Sequence, residues 1–249
     1  MDILVTNDDG IDALGIKALA SALERLGTVT TVAPAEEMSA VSHALTIKRA
    51  VGYERIGLNA FAVDGTPADC VSLAVKQFLP TRPDFVVSGI NRGANLAGDI
   101  AYSGTVGGAR EGAMLGIPAL AVSLTSKESR DYEPAAQFAA RVVEHAFSKG
   151  MGALQLLNIN VPAGTLRGVR VTRQGQFTDF AAPQLRRSGK RSRLSRFWGR
   201  RRGAEDEHVL LSDVAAVREN FISVTPLGLD TTHYDGVDAL KAWELTGGT

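Results

Sequence analysis

The opening of the chain constrains the fold most. A short β-branched run, Asp2 to Thr6 (DILVT), stops at the polar cluster Asn7, Asp8, Asp9, Gly10. Ile16, Leu19, Ala20, Leu23 and Leu26 then recur at helical spacing until Gly27, and Thr28 to Ala33 (TVTTVA) is strand-like again and closed by Pro34. Strand, turn, helix and strand in close succession form the unit of a parallel sheet, because parallel neighbours need a crossover between them. The alternation recurs. Gly65, Thr66 and Pro67 open a helix reaching Phe78, and Asp84 to Ser88 (DFVVS) is continuously apolar, as in a strand covered on both faces. A glycine-rich loop, Gly89 to Gly104, leads to a helix over Thr105 to Leu115 and a strand over Ala119 to Leu124. A helix over Tyr132 to Ser148 and a strand over Leu156 to Val161 follow. Strand-like stretches at His43 to Lys48 and Asn59 to Val63 suggest a hairpin. The expected class is α/β, with a mostly parallel sheet and helices on both sides.

From Gly168 the pattern becomes β-rich, with Phe221 to Pro226 (FISVTP) as a strand and a short helix near Val237 to Leu245. No interdomain linker is evident, so residues 1–249 are read as one domain: an α/β core over 1–167 and a C-terminal appendage over 168–249. With 45% hydrophobic and 22% charged residues the chain can bury a core, which excludes disorder. Its one cysteine, Cys70, excludes an internal disulfide and a cysteine-built zinc site. No basic leader precedes the first apolar run, and none of the apolar runs approaches the roughly 20 residues of a membrane span. A cytoplasmic location and no membrane partner are expected. The net charge of zero conceals an asymmetry. Nine basic and no acidic residues lie between Arg186 and Arg202, leaving 18 basic against 27 acidic elsewhere.

In open parallel sheets, ligands bind beyond the carboxyl ends of the strands. Three loops at such ends are unusually polar: the first carries Asp8 and Asp9, the second Ser39 and Ser42, the third Asn91 and Asn95, followed by Ser103, Gly104 and Thr105. Adjacent carboxylates repel unless a cation or proton lies between them. An Asp-Gly turn or a solvated helix cap is the ordinary alternative, but the helical periodicity after Gly10 argues against a hairpin. Carboxylate, hydroxyl and amide oxygens are hard donors, which favour Mg²⁺ or Mn²⁺. Ser103, Gly104 and Thr105 precede a helix, whose unpaired amides suit a phosphate; a plain N-cap is the simpler reading of that tripeptide alone. The first turn is not G-x-G-x-x-G, and its carboxylates would repel a pyrophosphate, which sets a dinucleotide-dependent oxidoreductase aside.

Ile3 to Gly10 (ILVTNDDG), Ser39 to Thr46 (SAVSHALT), Gly65 to Cys70 (GTPADC), Val87 to Asn95 (VSGINRGAN), Tyr102 to Val106 (YSGTV), Glu111 with Gly112, and Ser223 to Leu227 (SVTPL) with Asp230 together resemble the SurE family of stationary-phase survival proteins with nucleotidase activity. The resemblance covers residues 1 to 174 and the last 30 or so. It implies a Rossmann-like three-layer core whose C-terminal portion exchanges between subunits, in a homodimer or homotetramer. It implies hydrolysis of nucleoside monophosphates, at the 5′ and also the 3′ position, with one divalent metal ion, Mg²⁺ or Mn²⁺, per subunit. Asp8, Asp9, Ser39 and Asn91 match the family's metal ligands, and Asn95, Ser103, Gly104 and Thr105 its phosphate-facing positions. Catalysis is expected from Asp8, Asp9 and Asn95: the metal-bound water attacks phosphorus while Asn95 and the amides near Gly104 stabilise the charge that develops. His43 is a candidate for substrate contact or for donating a proton to the leaving alkoxide, with polar packing the more ordinary role.

Two departures stand out. Ala40 follows Ser39 where a glycine is common in the family. The Arg-rich segment 186–202 replaces a glycine- and aromatic-rich stretch, of which only Phe197, Trp198 and Gly199 are similar. Nucleic-acid binding through that segment is the alternative function; the favoured reading makes it a local variation near the substrate entrance or subunit interface.

Overall fold

The computed structural model describes residues 1–151, 154–175 and 211–243, so the Arg-rich segment lies outside the described residues. The first strand, β1 (Asp2–Thr6), pairs in parallel with β2 (Thr28–Pro34) on one side and β5 (Phe85–Arg92) on the other. Beyond β2 lies β4 (Ala60–Val63), also parallel, and beyond β5 lie β6 (Ala119–Leu124) and β7 (Leu156–Val161), parallel in turn. These six strands have the order of a dinucleotide-binding fold, in which the chain works outward from β1 in one direction and then returns to work outward in the other. Three antiparallel or late strands complete a nine-stranded sheet: β3 (Tyr53–Gly57) at one edge, β9 (Phe221–Pro226) against β7, and β8 (Gly168–Val171) at the far edge. Strands β8 and β9 therefore extend the same sheet.

Helices cover both faces. Helix α1 (Leu14–Glu24) and α4 (Glu133–Lys149) bury Ile16, Leu19, Leu23, Phe138 and Val143 against Ile3, Val5, Val87, Val122 and Ile159. On the other face, α2 (Pro67–Leu73) and α3 (Gly104–Met114) cover Leu4, Val86, Ala119, Ala121 and Leu156. Alternate strand residues go to opposite faces, which is why β1, β5, β6 and β7 lack the polar alternation of a half-exposed sheet. Helix α2 begins with a reciprocal cap: Thr66 accepts from Asp69 N while Asp69 accepts from Thr66 N. Among the described residues, two helices follow β8: α5 (Asp213–Arg218), packed on β9, and α6 (Tyr234–Lys241), none of whose residues is buried.

The structure corrects the expected strand over His43 to Lys48. That stretch has no ladder partner; its polar groups bond to helices instead, Thr46 N and Oγ1 to Asp69 and Thr66 Oγ1 to Ala44 O. The outer hairpin strand is Tyr53–Gly57, turned back by Leu58 and Asn59. The expected loop from Gly89 is also shorter, because β5 continues to Arg92. Between Ser88, opposite Ala121, and Asn91, opposite Ser123, β5 carries one residue more than β6. Such a bulge re-aims the side chain that follows it.

Candidate active site

The strand order reverses between β1 and β5, so the connections leaving their carboxyl ends diverge and open a crevice. The turn after β1 holds Asp8 and Asp9 there, and backbone contacts draw the other loops to it. Met38 N donates to Asp8 O at 2.7 Å, seating the loop that carries Ser39, and Arg92 N donates to Asp9 Oδ2 at 3.0 Å, seating the segment that carries Asn91. Ser39 and Asn91 are thus each one residue from a contact with an aspartate. The Asn91 amide nitrogen donates to Gly93 O at 2.8 Å, and Ser39 Oγ donates to Glu37 Oε1 at 2.6 Å.

Helix α3 closes the crevice from below, and its glycines explain how. A Cβ at Gly104 would lie 2.8 Å from Asp8 Cβ, one at Gly108 3.0 Å from Thr6 Cγ2 and 3.1 Å from Ser88 Oγ, and one at Gly112 2.7 Å from Val86 Cβ. These positions, four apart, share one helix face. Their bareness lets the helix lie directly on the sheet, with its N-terminus against Asp8. Gly107 admits the second loop in the same way, since a Cβ there would meet Ser42 O at 2.3 Å. At the N-terminus, Ser103 Oγ caps Val106 N at 3.1 Å and Thr105 Oγ1 donates to Asp8 Oδ1. Ser103 Oγ accepts in that cap, which leaves its O–H to donate, while Ser103 N already donates to Asp99 O at 3.0 Å and the Thr105 N–H lies with its hydroxyl on Asp8, so Gly104 N is the amide left at the helix end among the described residues.

Asp8 is 5% exposed. Burial pushes its carboxyl up to about 6; the Thr105 hydroxyl opposes that shift and the neighbouring Asp9 adds to it. Asp9 is raised for the same first reason, helped by the charge of Glu37 and opposed by the Arg92 N–H and by the charges of Arg92 and Lys127. A pair of carboxyls driven toward protonation by burial and by each other is one that a cation would return to the ionised form. Among the described residues no three His, Cys, Asp or Glu side chains form a metal-holding cluster. The donor set on offer is two carboxylates, a hydroxyl and an amide oxygen, which fits a hard divalent ion.

Asn95 lies deeper than a loop residue normally does, at 7% exposure, with its amide nitrogen donating to Ser123 Oγ at 2.9 Å. The His43 backbone packs on Gly107, and its Nε2 pairs with Glu111 Oε2 at 2.9 Å, alongside the second turn of α3. With Ser42, Ser103 and Arg110, His43 also lines a small cavity of about 40 Å³. Glu37, Ser123, Asn158 and Asn160 do not stand out in the sequence as site residues, and Glu111 does so only as part of the family pattern. A signal for the two asparagines was nonetheless present: in the apolar strand LLNINV the asparagines alone are polar, two apart, and so face one side.

These features define an α/β protein with an acidic, oxygen-lined crevice at the switch point of its sheet, facing a glycine-rich helix N-terminus. The family described as Survival protein SurE matches residues 3–179. The 5′-nucleotidase SurE of Syntrophotalea carbinolica is 44% identical over 99% of this chain and 98% of its own, and that of Geotalea daltonii 45% identical over 98% and 100%. The crystal structure of the SurE protein from Aquifex aeolicus superposes with a TM-score of 0.85 at 37% identity, covering 98% of this chain and 100% of that one. The chain belongs to the SurE family.

Proposed function

We infer that this chain is a 5′-nucleotidase, a phosphomonoesterase that hydrolyses nucleoside monophosphates to nucleoside and phosphate. Its relatives carry that name across nearly their whole length. The observation that carries the reading in this molecule is Asp8: a buried carboxyl beside a second one, set against the N-terminus of α3. Phosphate chemistry needs both a positive centre for the phosphate oxygens and donors for the charge that develops on them. Asp8, Asp9, Ser39 and Asn91 would hold one Mg²⁺ or Mn²⁺. When bound, that ion neutralises phosphate charge and acidifies a water.

The chain's own residues do the rest. The Gly104 amide at the head of α3 and the Ser103 O–H donate to phosphate oxygens and orient the ester, beside Thr105 seated on Asp8. Asn95 donates its amide N–H to an equatorial oxygen. Thr105 fixes the Asp8 carboxylate through its hydroxyl, and Arg92 N fixes Asp9. Paired with Glu111, His43 serves best as the anchor of the Ser39–Thr46 loop on α3. A single domain, a cytoplasmic location, activity on 3′-monophosphates and assembly as a dimer or tetramer belong to the same proposal. Assembly is supported by α6 and the turn after it, where Tyr234, Val237, Leu240 and Trp243 are 68, 40, 48 and 67% exposed; no helix among the described residues is long and apolar enough to cross a membrane.

The test is phosphate release by the full chain from nucleoside 5′- and 3′-monophosphates, inorganic polyphosphate and generic phosphoesters, with EDTA and then with each metal. Release from 5′-monophosphates should be abolished by EDTA and restored by Mg²⁺ or Mn²⁺. No release from any substrate under any metal would sink the proposal.

A further inference from the structure

Loop residues are rarely held by more than their own turn, yet Asn95 is held from several directions by the sheet beneath it. Asn160 clasps its peptide group at both ends: Asn160 Oδ1 accepts from Asn95 N at 2.9 Å and Asn160 Nδ2 donates to Asn95 O at 3.0 Å. Asn158 Nδ2 donates to the same carbonyl at 2.8 Å. Ser123, which sits opposite Asn160 in the β6–β7 ladder, accepts from the Asn95 side chain. Asn158, Asn160 and Ser123 are all completely buried.

Amides buried in the middle of a parallel sheet are expensive relative to the aliphatic residues that fill the rest of β6 and β7. The hydrogen bonds offset that cost, but incompletely, since Asn158 Oδ1 has no partner among the described residues. An apolar residue would serve packing at least as well there. What only the amides supply is a fixed position for residue 95. An amide nitrogen carries two hydrogens; Ser123 takes one of Asn95's, and that bond sets the direction of the other.

We propose that Asn158 and Asn160 are positioning residues for phosphate-ester hydrolysis, clasping the Asn95 peptide while Ser123 aims its amide, so that the donor to the phosphate is preset before substrate arrives. The proposal rests on the reading that Asn95 faces the phosphate. Preset donors are worth most in the transition state, because they need no reorganisation as charge develops. The loss on removing a clasp therefore falls on kcat, with little change in KM or in metal requirement.

The experiment is a double-mutant cycle in the metal-loaded enzyme, with Asn158→Leu and Asn160→Ala each made alone and together with Asn95→Ala. Asn158→Leu keeps the side-chain volume, removes an unpaired acceptor and leaves Asn95 O bonded to Asn160, so its thermal midpoint should hold even where Asn160→Ala folds poorly. Each single variant should lose about tenfold or more in kcat at unchanged KM, and neither should cause further loss in the Asn95→Ala background. Full kcat in Asn158→Leu, or the same loss whether or not Asn95 is present, would overturn the proposal. Full kcat in Asn95→Ala would instead remove the premise, the phosphate-facing role of Asn95, and so is distinguishable from failure of the clasp.

Discussion

Two buried aspartates at helix N-termini show how differently the molecule treats the same group. Asp213 opens α5, is fully buried, and accepts backbone N–H bonds from Ala97 at 2.8 Å, Gly175 at 2.9 Å and Val214 at 2.7 Å. Asp8, at the head of α3, has the Thr105 hydroxyl as its side-chain donor and another carboxyl as its chain neighbour. Burial raises both. The difference lies in what surrounds the charge: three peptide groups from separate segments meet Asp213 and no second carboxyl among the described residues raises it, whereas the donors to Asp8 come from Thr105 and its own peptide, and Asp9 lies beside it. A carboxylate tied to separate segments by peptide donors is a strut. One held next to a second carboxyl is poised for a cation that offsets both charges.

Substitution should separate the two most sharply. Asp8→Asn should lower metal-dependent phosphatase activity on the order of a thousandfold while leaving the metal-free fold at least as stable at neutral pH; full activity in that variant would break the comparison. Asp213→Ala should do the reverse. Stranding one buried and two part-buried N–H groups should cost about 3 kcal/mol in urea unfolding, with metal affinity kept, and a variant of native stability would show that Asp213 is no strut.

Acidity gives the next effect. The Asp8 carboxyl gives up its proton near 3.8 in the unfolded chain and near 6 in the folded one. Between those values the folded state binds more protons, so with EDTA present stability should fall as pH rises through the window and level off above it. The drop should amount to at most about 3 kcal/mol, and Asp8→Asn should flatten it. A wild-type profile that is flat between pH 4 and 6 without metal would count against the poised carboxylate. The smallest effect belongs to the rim. Ser39 is exposed, so Ser39→Ala should raise the metal concentration for half activity about tenfold and leave saturated kcat within a few-fold.

Much of this was readable in the chain. Strands over Asp2–Thr6, Ala119–Leu124, Leu156–Val161 and Phe221–Pro226 announce themselves because a strand set deep in a sheet is short and largely apolar. Asp8 and Asp9 stood out because an acidic pair directly after such a strand contradicts its surroundings. Tertiary partnership was not readable. His43 to Lys48 carries a strand's residues, but Asp69 and Thr66 claim groups a ladder would have used. Gly104, Gly108 and Gly112 form a visible pattern whose meaning depends on Asp8, Thr6, Ser88 and Val86 lying beneath it. Asp213 resembles any N-terminal helix residue until Ala97 and Gly175, remote in sequence, arrive at its oxygens.

The bare face of α3 also bears on the order in which the molecule assembles. Four of its eleven residues are glycine, including both at Gly107 and Gly108. Each weakens an isolated helix by roughly 1 kcal/mol relative to alanine, so this segment has little tendency to coil by itself. It becomes helical by docking, which requires β1 and β5 to be already paired beneath it. The head of α3 thus takes shape only once β1 and β5 have paired, so a molecule without that pairing does not bring the helix end against Asp8.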